Sequence, residues 1–226
     1  MSDARRIVYD RIKTALSDGT PDKVRRQAVA ARIASPPKHP LPARTQLSVP
    51  DLRAQFRAFL EGQSATVVDV ASIDAIPAAV ATYLRDKNLA QRVRMGADPL
   101  LEKLPWHTEP ALERHSGAAA GTDDAGLSVA RAGVSETGTL VLTSGPDNPV
   151  TINFLPETHI VVLAEKDIVG AYEHAWTKIR SHFGAGQMPR TVNFISGPSR
   201  TADIASKLVM GAHGPRRLCV IVVKGS

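Results

Sequence analysis

The sequence predicts an α/β fold, a three-layer sandwich built on a parallel sheet, with a helical extension at its N-terminus. Three observations carry that reading. Strand-length apolar runs alternate with amphipathic helical stretches, the pattern of parallel α/β proteins. One run, HIVVLAE (159–165), is unbroken from Ile160 to Leu163, as in a strand buried on both faces. A segment with four prolines, SPPKHPLPART (35–45), separates a basic helical stretch from the rest. The division expected is 1–45 as helical extension and connector, and 46–226 as the α/β domain.

The elements follow in order. Ile7, Val8, Ile12, Ala15 and Leu16 share one face of a helix over 4–18, which Gly19 can end. A second helix is predicted over 21–33, and the proline segment then runs extended. Ser48 and Asp51 bracket Pro50 as a helix start, with Leu52, Phe56, Phe59 and Leu60 on its buried face and Gly62 at its end. ATVVDV (65–70) is a strand, 74–86 a helix and RVRMG (92–96) a short strand. Residues 105–125 read as a loop that covers a site or stays mobile. GLSVARAGVS and GTLVLTSG are strands joined by a short turn. A helix over 167–183 carries the stripe Ile168, Tyr172, Ala175, Trp176, Ile179 and Phe183, and Gly184 follows it. TVNFIS (191–196) is a strand, ISGPSRTADI (195–204) turns into a short helix, and RRLCVIVV (216–223) is the last strand.

Composition narrows the function. The chain has 226 residues, 43% hydrophobic and 22% charged, enough to bury a sizeable core. Its one cysteine, Cys219, lies in an apolar run, so no internal disulfide and no cysteine-ligated zinc or iron–sulfur site can be assembled. No apolar run is long enough to span a membrane, and MSDARRIVYD lacks a signal peptide's apolar core, so a cytoplasmic location is expected. The formal charge of +6 sits at the N-terminus, where residues 1–60 hold 12 Lys/Arg against 5 Asp/Glu. With aromatics at only 4%, there is no stacking platform for nucleic acid. The basic segment is a solvated face or a docking surface for an acidic partner.

Three clusters of residues could carry chemistry. In ISGPSRTADI, a strand end, a glycine turn and a helix start would point backbone N–H groups at an anion, with Ser196, Gly197, Ser199, Arg200 and Thr201 around it. The alternative is a plain helix cap at Ser199 or Thr201, with Asp203 complementing the dipole. In SETGT, Glu136 beside Gly138 and Thr139 is a candidate nucleophile or base; the alternative is a turn glutamate paired with an arginine such as Arg131. Of the seven histidines, none forms an H-x-H or H-x-x-x-H pair, so no metal site is expected. His159 opens a buried strand, and glycines on both sides of His213 leave it open to a ligand. Ser144, Asn153, His159 and Asp203 are supporting candidates. No G-x-S-x-G, G-x-G-x-x-G or Walker motif occurs where it would define a hydrolase, a dinucleotide site or a P-loop.

ETGTLVLTSG (136–145), PETHIVVL (156–163), SGPSRTADI (196–204) and GAHGPRRLCVIVV (211–223), in that order, resemble the LUD-domain family, in the group typified by lactate utilization protein C. The resemblance covers the C-terminal half strongly and the N-terminal segment loosely. It implies a fold similar to the CoA-transferase-like (NagB/RpiA) group. It implies a non-iron–sulfur component of a multi-protein system that oxidises L-lactate to pyruvate beside two iron–sulfur companions, with no iron–sulfur cluster in this chain. The cofactor stays unknown, and the ligand is a small carboxylate or other anion. SETG also resembles the Ser-Glu-Asn-Gly stretch of CoA transferases, whose glutamate is the nucleophile, with Thr137 in place of asparagine. Two further readings therefore stand beside the first: a stand-alone CoA-transferase-like or small-anion-binding enzyme, and a regulatory or assembly protein with a vestigial pocket. Catalysis is assigned to Glu136 and His213, and anion binding to Gly138, Thr139, Ser196, Gly197, Ser199, Arg200 and Thr201.

Overall fold

In the computed structural model, residues 3–16, 20–35, 39–184, 186–204 and 207–225 are described, with backbone alone over 201–209. The chain divides into two compact units, 1–40 and 41–226. The first holds helices α1 (Asp3–Leu16) and α2 (Asp22–Ala34); Gly19, the expected end of α1, lies outside the described residues.

The second unit begins with a short 3-10 turn, Ala43–Thr45, inside the segment expected to run extended. Then come α3 (Val49–Gly62), β1 (Thr66–Val70), α4 (Ile76–Asp86), β2 (Arg92–Met95), α5 (Pro99–Glu102) and β3 (Glu113–Ser116). Next are β4 (Ala125–Val129), β5 (Ala132–Val134), β6 (Thr139–Thr143), α6 (Val150–Phe154), β7 (Thr158–Ala164) and β8 (Ile168–Val169). The unit ends with α7 (Tyr172–Phe183), β9 (Val192–Ile195), β10 (Arg200–Ile204), β11 (Lys207–Met210) and β12 (Arg217–Val223). As its S-x-x-D pattern predicts, α3 starts at a Ser48 cap: the Ser48 hydroxyl accepts from Asp51 N at 3.4 Å and donates to the Asp51 carboxylate at 2.6 Å.

Six strands form the central sheet in the order β1-β12-β7-β4-β2-β3, all parallel. The unbroken apolar run of β7 has its physical cause here. Ile160 and Val162 enter the core on the α4 face, while Val161 and Leu163 enter the one shared with Phe56 and Leu60 of α3. This is the α/β sandwich that the alternation predicts. A second sheet, β8-β5-β6-β9, lies on the α3 side. Leu140 and Leu142 of β6 face the central sheet; Val141 turns the other way, onto Ala175 and Ile179 of α7.

Four expectations are corrected. Residues 126–145 are not one strand pair: β4 joins the central sheet and β5–β6 the second. The crossing falls at Ala130–Arg131, whose N–H groups donate in turn to Val162 O in the central sheet and Val141 O in the second. The helix expected from 167 starts at Tyr172, because Ile168 and Val169 pair with Gly133 and Val134 as β8. At Gly170 a Cβ would lie 1.9 Å from the Thr45 carbonyl O, so the chain needs a bare backbone to pass there. The loop expected over 105–125 contains β3, whose all-polar ERHS pairs with β2 at an exposed edge. The helix expected after Ser199 is instead a hairpin, β10 with β11, with Thr201 opposite Val209. Ser199 N–H donates to Pro215 O and Ser199 O accepts from Gly211 N–H, which fixes the chain extended at that point.

Candidate functional site

The glutamate turn is built on α3. Ser135–Thr137 form a 3-10 turn closed by Gly138 at φ 61°. A Cβ on Gly138 would lie 2.7 Å from Phe59 Cβ and 2.9 Å from Leu60 N, so only glycine lets the turn lie flush on the helix. The Ser135 hydroxyl donates to the Leu52 carbonyl at 2.7 Å, which fastens the turn's first residue. The Glu136 side chain is 9% exposed and accepts from Arg44 Nη2 at 2.9 Å. Its backbone N–H donates to Gly170 O at 3.2 Å. The expected arginine is therefore the wrong one: Arg131 is bonded to Asp147 and lies 3.8 Å from Asp98. Held by Arg44, Glu136 is an anchored carboxylate.

Beside the turn, four hydroxyls interlock. Thr139 Oγ1 lies 2.6 Å from Ser196 Oγ, 2.7 Å from Thr137 Oγ1 and 3.0 Å from Tyr172 OH, and Tyr172 OH is 3.0 Å from Thr137 Oγ1. A hydroxyl donates one bond and accepts two, so the set can satisfy itself. It ties β6 to the end of β9 and to α7. Gly197, at φ 144°, passes so near α3's C-terminal end that a Cβ would meet Gln63 Cβ at 2.8 Å.

ISGPSRTADI has a different setting from the one its sequence suggests. It follows β9, which runs antiparallel to β6 in the second sheet. With no helix after it, the turn has no helix dipole to offer an anion. Arg200 is exposed and donates to Ser64 Oγ at 2.6 Å. Ser199 Oγ accepts from the His213 backbone N–H at 3.2 Å, which fixes the GAHGP loop, exposed at Ala212 and His213, against the turn. The side chains of Thr201 and Asp203 lie outside the described residues.

The supporting candidates fall in two places. Ser144 extends the β6–β9 pairing, its hydroxyl accepting from Thr191 N at 2.9 Å. His159 and Asn153 lie on β7 and α6, where those elements pack on β4, and each is only 1% exposed. His159 Nε2 is 2.7 Å from Ser128 Oγ, and burial pushes its pKa down to about 3, so the ring is neutral. Its Nδ1, like both amide atoms of Asn153, has no hydrogen-bond partner among the described residues. Buried polar atoms without partners are rare in native folds, and Gln91, Asn148, Thr158 and Asn193 carry others in this interior.

The structure thus gathers Glu136, Gly138, Thr139, Ser196 and Gly197 along α3 and joins Ser199 to the His213 backbone. It leaves Ser144, His159 and Asn153 apart from them by contact. Sequence reasoning missed Arg44, Tyr172 and Ser128. Arg44 sits in a proline segment without periodicity, Tyr172 counts there only as one member of an apolar stripe, and Ser128 is one residue of a strand. Cys219 is buried, and that burial pushes its thiol up to about 12. Among the described residues no three or more His, Cys, Asp or Glu side chains are grouped to hold a metal, and no helix is long and apolar enough to cross a membrane.

A parallel sheet flanked by helices, with a second sheet and a separate hairpin before the last strand, defines the structural class. Residues 43–223 match the family described as LUD domain, and the chain belongs to that family. It is similar to lactate utilization protein C of Shouchella clausii (strain KSM-K16), 37% identical over 100 residues, 44% of each chain. It is also similar to lactate utilization protein C of Geobacillus sp. (strain WCH70), 42% identical over 91 residues, 40% of this chain and 38% of that protein. These matches thus span less than half the length of either relative. A crystal structure of a DUF162 family protein from Deinococcus radiodurans superposes with a TM-score of 0.59 at 24% identity, over 78% of this chain and 99% of that one. It shares the fold.

Proposed function

We propose that this chain is a non-iron–sulfur component of a multi-protein system that oxidises L-lactate to pyruvate in the cytoplasm, beside two iron–sulfur companions. The similarity to proteins named lactate utilization protein C, at 37% and 42% identity, is the observation that carries the reading. The oxidation takes two electrons and two protons from the substrate. With a single cysteine this chain cannot hold a cysteine-ligated cluster, so the electrons pass to the companions. The ion pair of Glu136 with Arg44 counts against a nucleophilic glutamate of the CoA-transferase kind.

The test is lactate oxidation with a dye acceptor, on this chain alone, on the two companions alone and on all three. Turnover only with all three present is expected. Turnover by the two companions at the full rate would remove this chain from the reaction.

A further inference from the structure

In an open parallel sheet, ligands bind beyond the carboxyl ends of the strands. The turn at 195–204 is not there, because β9 belongs to the second sheet. What lies at that edge is a cleft of about 470 Å³. Its floor is Val129, Ala130, Val162, Ala164 and Val223, the last residues of β4, β7 and β12 and their immediate neighbours. Both places where the chain crosses from the central to the second sheet, Ala130–Arg131 and Glu165–Asp167, border it. One face of α7 closes the far side.

The charges sort by position. Arg131 is held by Asp147 and Asp98, so it is already neutralised. Lys178 Nζ donates to Asp167 Oδ1 at 2.7 Å, which leaves Asp167 Oδ2 able to accept from a sugar hydroxyl. Lys166 and His182 are exposed at the rim, and no ion pair engages either among the described residues. The cleft therefore offers an apolar floor of small side chains, a carboxylate acceptor, and the Lys166 ammonium and His182 imidazole at its rim. A three-carbon acid would fill a small part of it, whereas about 300–1,000 Å³ is the usual size of sites for cofactor-sized molecules.

We propose that this cleft binds a mononucleotide: its planar base on the floor beside Val129 and Ala164, a ribose hydroxyl on Asp167, and its phosphate between Lys166 and His182. The site is independent of the lactate reading. It needs only an anion of that size with an apolar body.

The test is calorimetric titration of the full chain with FMN, AMP and ADP as probes, and with inorganic phosphate and L-lactate as the small anions. Two variants alter exposed positions only: Lys166→Glu with His182→Glu, which reverses the rim charge, and Ser181→Trp, which narrows the cleft. Thermal melts show whether each still folds. The expected result is that at least one nucleotide binds, that both small anions bind at least about tenfold more weakly, and that each folded variant weakens the nucleotide at least about tenfold. The proposal is overturned if none of the three nucleotides binds at millimolar concentration, if phosphate or lactate binds as tightly as they do, or if the folded variants bind like the parent.

Discussion

Gly138 is the position where the structure makes its sharpest quantitative demand. Replacing it with alanine has two costs. At φ 61° an L-residue sits in the left-handed region, at about 1–2 kcal/mol. The new Cβ would stand 2.7 Å from Phe59 Cβ and 2.9 Å from Leu60 N, and since the second contact is helix backbone, the turn or the helix must shift. Overpacking of that kind costs about 1–3 kcal/mol. Together the loss is about 3 kcal/mol, which for a chain of this size lowers Tm by roughly 6–12 °C. Gly117 is the control: its φ of 102° also disfavours alanine, but nothing lies within 4 Å of a Cβ there. Gly138→Asn separates the two causes, because asparagine tolerates the left-handed region yet still carries a Cβ. Urea denaturation of the three variants measures all of this. Gly138→Ala should lose clearly more than Gly117→Ala, and Gly138→Asn should stay about 2 kcal/mol or more below the parent. An asparagine variant as stable as the parent would refute the close approach of the turn to α3.

Three further outcomes follow from other contacts. His159 has a pKa pushed from 6.5 to about 3, so its stabilising effect is complete above 6.5 and is lost as the pH falls toward 3, at roughly 1 kcal/mol per pH unit; His159→Asn should flatten the stability profile between pH 6.5 and 4, and an unchanged slope would show that His159 is not the titrating group. Tyr172→Phe removes the hydroxyl that two threonines share and should cost about 1 kcal/mol in denaturant titration, with no loss contradicting the interlock. Arg53 bridges Asp69 at 3.1 Å and Glu165 at 2.6 Å, so Arg53→Ala should cost about 1–2 kcal/mol and Arg53→Lys should recover less than half of it; full recovery by lysine would show that the two-armed bridge contributes nothing.

Much of the fold was legible because burial leaves periodic traces. The continuous run at 160–163, the S-x-x-D start of α3 and the apolar stripe of α7 each report a packing face. The failures share a cause. Ile204, Leu208 and Val209 fit helical spacing, yet the hydrogen bonds of Ser199 to Pro215 and Gly211, from beyond the segment, fix its entry extended. The division of the strands between two sheets turns on two N–H groups, at Ala130 and Arg131, that no periodicity marks. For the candidate site, the motifs point to Glu136, Thr139, Ser196, Asn153 and His159 as single positions. They could not find the partners: Arg44 is 92 positions from Glu136, and Ser128 is 31 from His159. The cleft left even less trace, since its floor is the ends of ordinary strands and its polar groups are scattered from 98 to 182.

Growth tests the proposed role in lactate use most directly. Cells lacking this chain alone should fail to grow on L-lactate as sole carbon source, grow normally on pyruvate, and recover on lactate when the chain is restored. Undiminished growth on lactate, or equal failure on both acids, would contradict it.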